Sequence, residues 1–318
     1  MADMQPDSEN ENWERKAIEK LARSALDEQR KSRRWGILFK SLTFIYLFVI
    51  LFIASGWFGG RETSPGDHTA LVDLNGVIAA DTHANADVIS QGLQDAFESK
   101  GTKGVILRIN SPGGSPVQAG TINAEMHRLR QKYPQIPLYA VVEDICASGG
   151  YYVAVAADQI YVDRASIVGS IGVLMDGFGF TGTMEKLGVE RRLLTAGENK
   201  GFLDPFSPVS PAQREYAQKM LGEIHQQFID VVRKGRGKRL KEGPDTYSGL
   251  VWTGQRSIEL GLADALGSVD YVAREVIKAD KIIDFTPREN IAERFAKRFG
   301  AAMGDALFHM GGSHSPVR

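Results

Sequence analysis

The chain has 318 residues with 38 basic and 39 acidic side chains, and its net charge of -1 gives no bulk attraction for nucleic acid. A content of 43% hydrophobic and 24% charged residues is that of a folded chain and excludes wholesale disorder. Its one cysteine, Cys146, excludes an intramolecular disulfide and a cysteine-rich metal site.

Residues 1–34 are polar and of mixed charge, with good helix formers from Trp13 to Arg34, and read as a cytoplasmic segment. Ile37 to Phe58 follows, with Lys40 as its only formal charge. A membrane-spanning helix needs about 20 apolar residues. Trp35 and Trp57 stand at the edges, where interfacial aromatics belong. Residues 35–58 are therefore expected to form a single transmembrane anchor. The long polar region ahead of them argues against a cleaved signal peptide. Arg30, Lys31, Arg33, Arg34 and Lys40 crowd the N-terminal side, which puts the N-terminus in the cytoplasm and everything after Gly60 outside it. In a Gram-negative bacterium this means the inner membrane, with the later domain in the periplasm. Residues 59–67 (GGRETSPGD) read as a linker.

Residues 68–283 alternate strand and helix patterns. Thr69–Leu74, Gly104–Ile109, Leu138–Val142 and Ile160–Val162 read as short apolar strands, and Arg191–Leu194 as one more. Ala86–Ser99 puts Val88, Ile89, Leu93, Ala96 and Phe97 on one helical face. Gln118–Lys132, Ser148–Ala157, Pro211–Lys234 and Gly254–Leu260 also read as helices. Such alternation implies an α/β fold with a mainly parallel sheet. Arg233–Arg239 (RKGRGKR) reads as a solvated helix end, with lipid headgroup contact as the alternative. Residues 284–318 read as an amphipathic helix and tail, with Ile291, Phe295, Phe299, Met303 and Met310 at helical spacing.

Sites in α/β folds collect where strands end, and two such junctions carry unusual residues. Ser111-Pro112-Gly113-Gly114 is a tight turn, or a place where backbone N–H groups converge on a ligand. Ser148, in Ala147-Ser148-Gly149-Gly150, is an N-cap, or a nucleophile with the Gly149 N–H beside it to hold an oxyanion. A serine nucleophile needs a base. None of the six histidines stands in a motif-like setting, and no His-Glu-x-x-His metal pattern exists. Lys200 is the other candidate, in a glycine-flanked loop where a lysine is ordinarily an exposed charge. An ordinary lysine, with a pKa of about 10.4, needs about 4.6 kcal/mol to be neutral at pH 7, and burial can supply a shift of that size. Ser170, in Val168-Gly169-Ser170-Ile171-Gly172, is a turn residue or a hydroxyl that orients the amine.

Taken in order, Ser111 through Gly114, Ala147 through Tyr152, Gly169 through Val173 and Gly197 through Lys200 resemble the short form of the signal peptide peptidase A family. Trp252-Thr253-Gly254 and Gly261-Leu262-Ala263-Asp264 extend the likeness, which runs from about Thr69 to Val276. The resemblance implies a ClpP/crotonase-like fold of repeated β-β-α units. It implies Ser148 as nucleophile, Lys200 as general base and Ser170 as the hydroxyl bonded to the lysine. It implies an oxyanion hole from the backbone of Gly149 and the Gly113–Gly114 turn, with Gly114 favoured. The activity implied is that of a membrane-anchored serine endopeptidase that requires no metal or nucleotide. Its substrates would be signal peptide remnants and unfolded exported proteins. Its subunits would form homo-oligomeric rings whose active sites neighbours complete. Cys146 departs from the small residue expected at its position and is read as a core residue rather than a second nucleophile. Two relatives of this reading share the fold: an anchored Ser/Lys peptidase with a specific membrane-protein target, and a non-catalytic scaffold. A crotonase-type CoA enzyme conflicts with the expected topology, because acyl-CoA is absent outside the cytoplasm.

Overall fold

The computed structural model describes residues 8–54 and 66–287, and the chain divides into two units, 1–64 and 65–318. In the first unit α1 (Ser8–Ala54) is a continuous helix. From Ile37 to Ile50 its side chains, Phe44, Tyr46 and Phe48 among them, are exposed all round. The anchor expected over 35–58 is not supported by this span: among the described residues no helix is long and apolar enough to cross a membrane. Residues 55–58 of the expected anchor, the linker through residue 65 and residues 288–318 of the expected C-terminal amphipathic helix lie outside the described residues.

The second unit is built on an eight-stranded sheet. Its strands are β1 (His68–Asn75), β2 (Thr102–Ser111), β3 (Leu138–Ala147), β4 (Gln159–Val162), β5 (Ile167–Gly169), β6 (Val251–Thr253), β7 (Ala265–Leu266) and β8 (Ile282–Asp284). The order is β6-β5-β3-β2-β1-β8, with β4 joining β3 to β7. Every pairing is parallel except β5 with β6. Parallel strands need both faces covered, and the side-chain alternation shows how. Ala70, Val72 and Leu74 pack into the larger core, while Leu71, Ile106 and Val141 pack on the other face with Val272 and Ala273 of a π turn (Val272–Ile277).

The helices begin where the sequence supplies caps. α2 (Ala86–Glu98) starts at Asn85, whose side chain accepts from the Val88 N–H at 2.8 Å, and it buries Ile89, Leu93, Ala96 and Phe97. α3 (Pro116–Lys132) starts at Ser115 with proline in its first turn, a residue pre-set for that place. α4 (Gly149–Ala154) and α5 (Thr181–Lys186) are short. α6 (Pro211–Arg236) opens with a Ser210–Gln213 capping box. α7 (Gly254–Glu259) is capped by Thr253. Arg191–Leu194, expected as a strand, is not one: it is exposed, and Arg191 instead reaches Asp204. With no buried face it gains nothing from extended pairing. The helix expected over Ser148–Ala157 ends at Ala154.

β3 places the site. It pairs with β4 through Val141 and with β5 from Ile145, while Ser111 on β2 pairs with Cys146. The glycine turn after β2 and the serine after β3 are thereby brought to one corner of the sheet.

Candidate active site

Ser148 stands between β3 and α4 with φ 51° and ψ -122°. This positive-φ conformation costs a non-glycine residue of order 1–3 kcal/mol. Its N–H donates to the Gly169 carbonyl at 2.9 Å, and its carbonyl accepts from the Tyr152 N–H at 2.9 Å. Its hydroxyl makes no capping hydrogen bond, although a serine ahead of a helix ordinarily caps it. The hydroxyl instead belongs to the wall of a cavity of about 590 Å³.

The glycine turn packs directly on this serine. Gly113 has φ 100°, and a Cβ there would lie 2.6 Å from the Gly149 nitrogen and 2.7 Å from the Ser148 Cβ. Gly114 has φ 149°, and a Cβ there would lie 2.9 Å from both the nitrogen and the carbonyl carbon of Ile78. Only glycine fits either place. Their N–H groups differ in use. The Gly113 N–H donates to Ser111 Oγ at 3.1 Å, so it is not free for an oxyanion. The Gly114 and Gly149 N–H groups have no acceptor among the described residues. Of the three backbone donors expected from the sequence, Gly114 and Gly149 have N–H groups open to a ligand among the described residues, and Gly113 does not.

Ser170 lies on the same cavity, also at positive φ (52°). Its N–H donates to the Leu250 carbonyl at 2.8 Å, which fastens it to β6's approach. Ser148 and Ser170 thus flank one peptide unit, the Gly169 carbonyl. Lys200 is not brought to them. It sits in an exposed turn, its N–H donating to the Gly197 carbonyl at 3.1 Å, and it does not line the cavity.

No histidine lines the cavity either. His225 approaches it from α6 but is engaged, with Nε2 3.2 Å from the Ile171 carbonyl. Burial, with Arg130 and Lys234 nearby, pushes the His127 pKa down. Cys146 is fully buried, and burial pushes its thiol pKa up, which removes the thiolate a nucleophile would need.

Sequence reasoning missed the rest of the wall. Tyr152, Leu174, Ile224, Gln227 and Phe228 line it, with the Tyr152 and Phe228 rings 5.2 Å apart. The helical pattern of α6 marks Phe228 as a buried-face residue, but nothing in the pattern says that this face borders a cavity. The basic run departs from its reading at one residue, Arg236. Arg233 forks onto Glu242, Arg236 is buried against Asp264, and Arg239 donates to the Asp158 carbonyl. Arg233, Lys234, Lys238 and Arg239 are exposed, as a solvated helix end requires, and Arg236 alone is buried.

The arrangement is a serine with an unengaged hydroxyl, two unengaged backbone donors beside it and a cavity in front, the parts that acyl transfer needs. Residues 130–282 match the model of peptidase family S49. The Putative protease slr0021 of Synechocystis sp. is 30% identical over 207 residues, covering 65% of this chain and 72% of that protein. The Putative signal peptide peptidase SppA of Enterococcus faecium is 30% identical over 223 residues, covering 68% of this chain and 64% of that protein. A Brucella abortus protein named Na(+)/H(+) antiporter NhaA is 44% identical over 190 residues, 60% of this chain but 26% of that protein. The chain thus spans about a quarter of that Brucella relative's length and less than two thirds of the Enterococcus one's. The mixed α/β sheet fits an S49 peptidase, and on these matches the chain belongs to peptidase family S49.

Proposed function

We propose that the chain is a membrane-anchored serine endopeptidase that works through an acyl-enzyme, with Ser148 as nucleophile and Lys200 as general base. The observation that carries this reading is the uncapped Ser148 hydroxyl on the cavity wall, beside the unengaged N–H groups of Gly114 and Gly149. A neutral lysine amine takes the Ser148 proton as Oγ attacks the peptide carbonyl carbon. The two N–H groups hold the oxygen as it becomes negative. Collapse breaks the C–N bond, and the lysine ammonium gives its proton to the leaving amine. Water then attacks the ester carbon as the lysine accepts its proton; collapse breaks the C–Oγ bond, releases the acid product, and the lysine returns the proton to Ser148 Oγ. Ser170 orients the amine.

Lys200 lies in an exposed turn outside the cavity wall of its own chain, which supports a lysine delivered by a neighbouring copy in a homo-oligomeric ring. The turn belongs to a segment that exposes Leu174, Phe178, Leu187 and Leu194, apolar surface of the kind buried between subunits. The anchor rests on the sequence from Ile37 to Phe58 and on the exposed apolar sleeve of α1, with the N-terminus cytoplasmic and the peptidase unit outside. The cavity wall mixes polar groups with the side chains of Tyr152, Leu174, Ile224 and Phe228, which suits the apolar residues of signal peptide remnants and unfolded exported polypeptides.

The test uses the full chain in detergent, assayed on a signal peptide and on an unfolded protein. Ser148→Ala and Lys200→Ala should each lose about 10³-fold or more in kcat, with folding intact, and Cys146→Ala should keep activity. Full activity in either of the first two overturns the assignment of that residue. A folded, assembled wild type with no activity overturns the enzyme reading in favour of a scaffold.

A further inference from the structure

The structure assigns Tyr151 a role as positioning residue for Ser148, set in place by the buried Arg236–Asp264 pair. This rests on the reading of Ser148 as nucleophile. α4 has six residues, too few to persist on its own hydrogen bonds. The positive-φ backbone of Ser148 at its head must also be held by its surroundings. The orientation of α4 therefore depends on anchors outside it.

Two side-chain anchors exist. Asn123 Nδ2 donates to the Tyr152 carbonyl at 2.8 Å. The Tyr151 hydroxyl, on a ring with no exposed surface, donates to the Leu262 carbonyl at 2.8 Å. That carbonyl lies in the turn Gly261–Asp264, which Arg236 grips at both ends. Arg236 Nε donates to the Gly261 carbonyl at 2.8 Å, and its two terminal nitrogens donate to the Asp264 carboxylate at 2.8 Å each. Asp264 also accepts the Ile160 N–H at 2.7 Å, tying the turn to β4. Arg236 is 1% exposed, and a guanidinium is almost never so buried unless paired. Neither Arg236 nor Tyr151 lines the cavity. Direct contacts thus run from Arg236 through the turn and Tyr151 to the helix that Ser148 heads. A Cβ on neighbouring Gly235 would lie 2.9 Å from Val155 Cβ, so α6 presses on the residue just past α4's end.

The hydroxyl of Tyr151 is separable from its bulk. Tyr151→Phe keeps the ring that fills the core and removes only the bond that fixes rotation. Freed rotation moves Ser148 Oγ relative to the Gly114 N–H, and a misplacement of 1 Å costs on the order of 10²-fold in rate.

The experiment compares full-length wild type, Tyr151→Phe, Arg236→Lys and the double variant, with Ile89→Val on α2 as a control matched in melting temperature. Lysine keeps the charge of Arg236 but cannot span the fork. Each single variant should lose about tenfold in kcat with KM within twofold, and amide exchange over 149–154 should speed up relative to β2. Because both act through the Leu262 carbonyl, the double variant should lose little more than the worse single variant. A Tyr151→Phe enzyme with kcat within twofold of wild type overturns the inference. So does an Ile89→Val enzyme that loses as much, or losses that simply multiply. If Ser148→Ala proves active, the nucleophile reading has failed instead, and the exchange at 149–154 still reports whether Tyr151 holds α4.

Discussion

Gly114→Ala is the sharpest single perturbation of the proposed oxyanion hole. The added Cβ would fall on the Ile78 carbonyl, 2.9 Å from that residue's nitrogen and carbonyl carbon. Carbon contacts settle at about 3.5–4.0 Å, so the turn or Ile78 must move by about 1 Å. Ile78 is tied to the turn on either side of Gly114: its N–H donates to the Gly113 carbonyl at 2.8 Å, and its carbonyl accepts the Ser115 N–H at 2.7 Å, so the two cannot part without straining both bonds. The turn therefore moves, and the Gly114 N–H moves with it. At φ 149° alanine adds strain of about 1–3 kcal/mol. Loss of one oxyanion donor lowers kcat by about 10²–10³, so that is the fall expected, with KM little changed. The assay is steady-state cleavage of a fluorogenic peptide beside a melting curve. Gly120→Ala is the companion control. It is half-buried on α3 with nothing within 4 Å of an added Cβ, and should keep kcat and gain about 0.5–1 kcal/mol of stability. A folded Gly114→Ala enzyme with kcat within threefold of wild type refutes the placement of this donor.

Two further outcomes follow. If the lysine comes from a neighbouring copy, mixing inactive Ser148→Ala and Lys200→Ala chains should restore activity, with about a quarter of sites intact for random mixing in a symmetric ring. Mixed assemblies that stay inactive refute the shared site. Burial alone would raise the Asp264 pKa, but the hydrogen bonds and charge of Arg236, with help from the Ile160 N–H and Arg239, outweigh it and hold the carboxyl below its ordinary value. A depressed carboxylate stabilises the fold above the unfolded pKa of about 3.9 and loses that contribution as pH falls through the lower folded value. Urea midpoints should thus fall below about pH 4 in wild type. Asp264→Asn, which leaves Arg236 buried and unpaired, should cost about 3–5 kcal/mol at pH 7 and flatten that acid slope. An unchanged slope in the variant would show that the pair is not the titrating element.

The long elements were legible because their signals are local. Strand β2 and helix α2 announce themselves by continuous and by helically spaced apolar residues, and both lie within a few residues of where the pattern puts them. Strands β5 to β8 have two or three residues each and no period to read. They exist because longer neighbours offer them an edge. β6 is fixed by Trp252, whose ring fills the space over Gly169, where a Cβ would lie 2.6 Å from it. Arg191–Leu194 shows the reverse case, β-compatible residues left exposed with no edge to join.

The same division separates what could be read of the site. Ser148, Gly114 and Gly149 follow the long strands β2 and β3, so their chain neighbours mark them as junction residues. The Gly113 N–H could not be resolved from Gly114's in the sequence, because its loss to Ser111 Oγ depends on the rotamer of a side chain two residues back. Arg236 was misread for a related reason. In the sequence it is one cation in a basic run, and its partner Asp264 is 28 residues further on. Only the packing of α6 beside α4 brings them together, in a place where an unpaired guanidinium would be intolerable. Lys200 is the instructive case. The family resemblance implies it as the base, while its own fold leaves it in an exposed turn outside the cavity. If Lys200 is the base proposed above, a lysine folded as a surface charge needs a second surface to bury it. The apolar residues exposed around it, Leu194 and Phe178 above all, give that surface something to bind. Assembly and base activation would then be one event, with the isolated subunit a peptidase lacking its base.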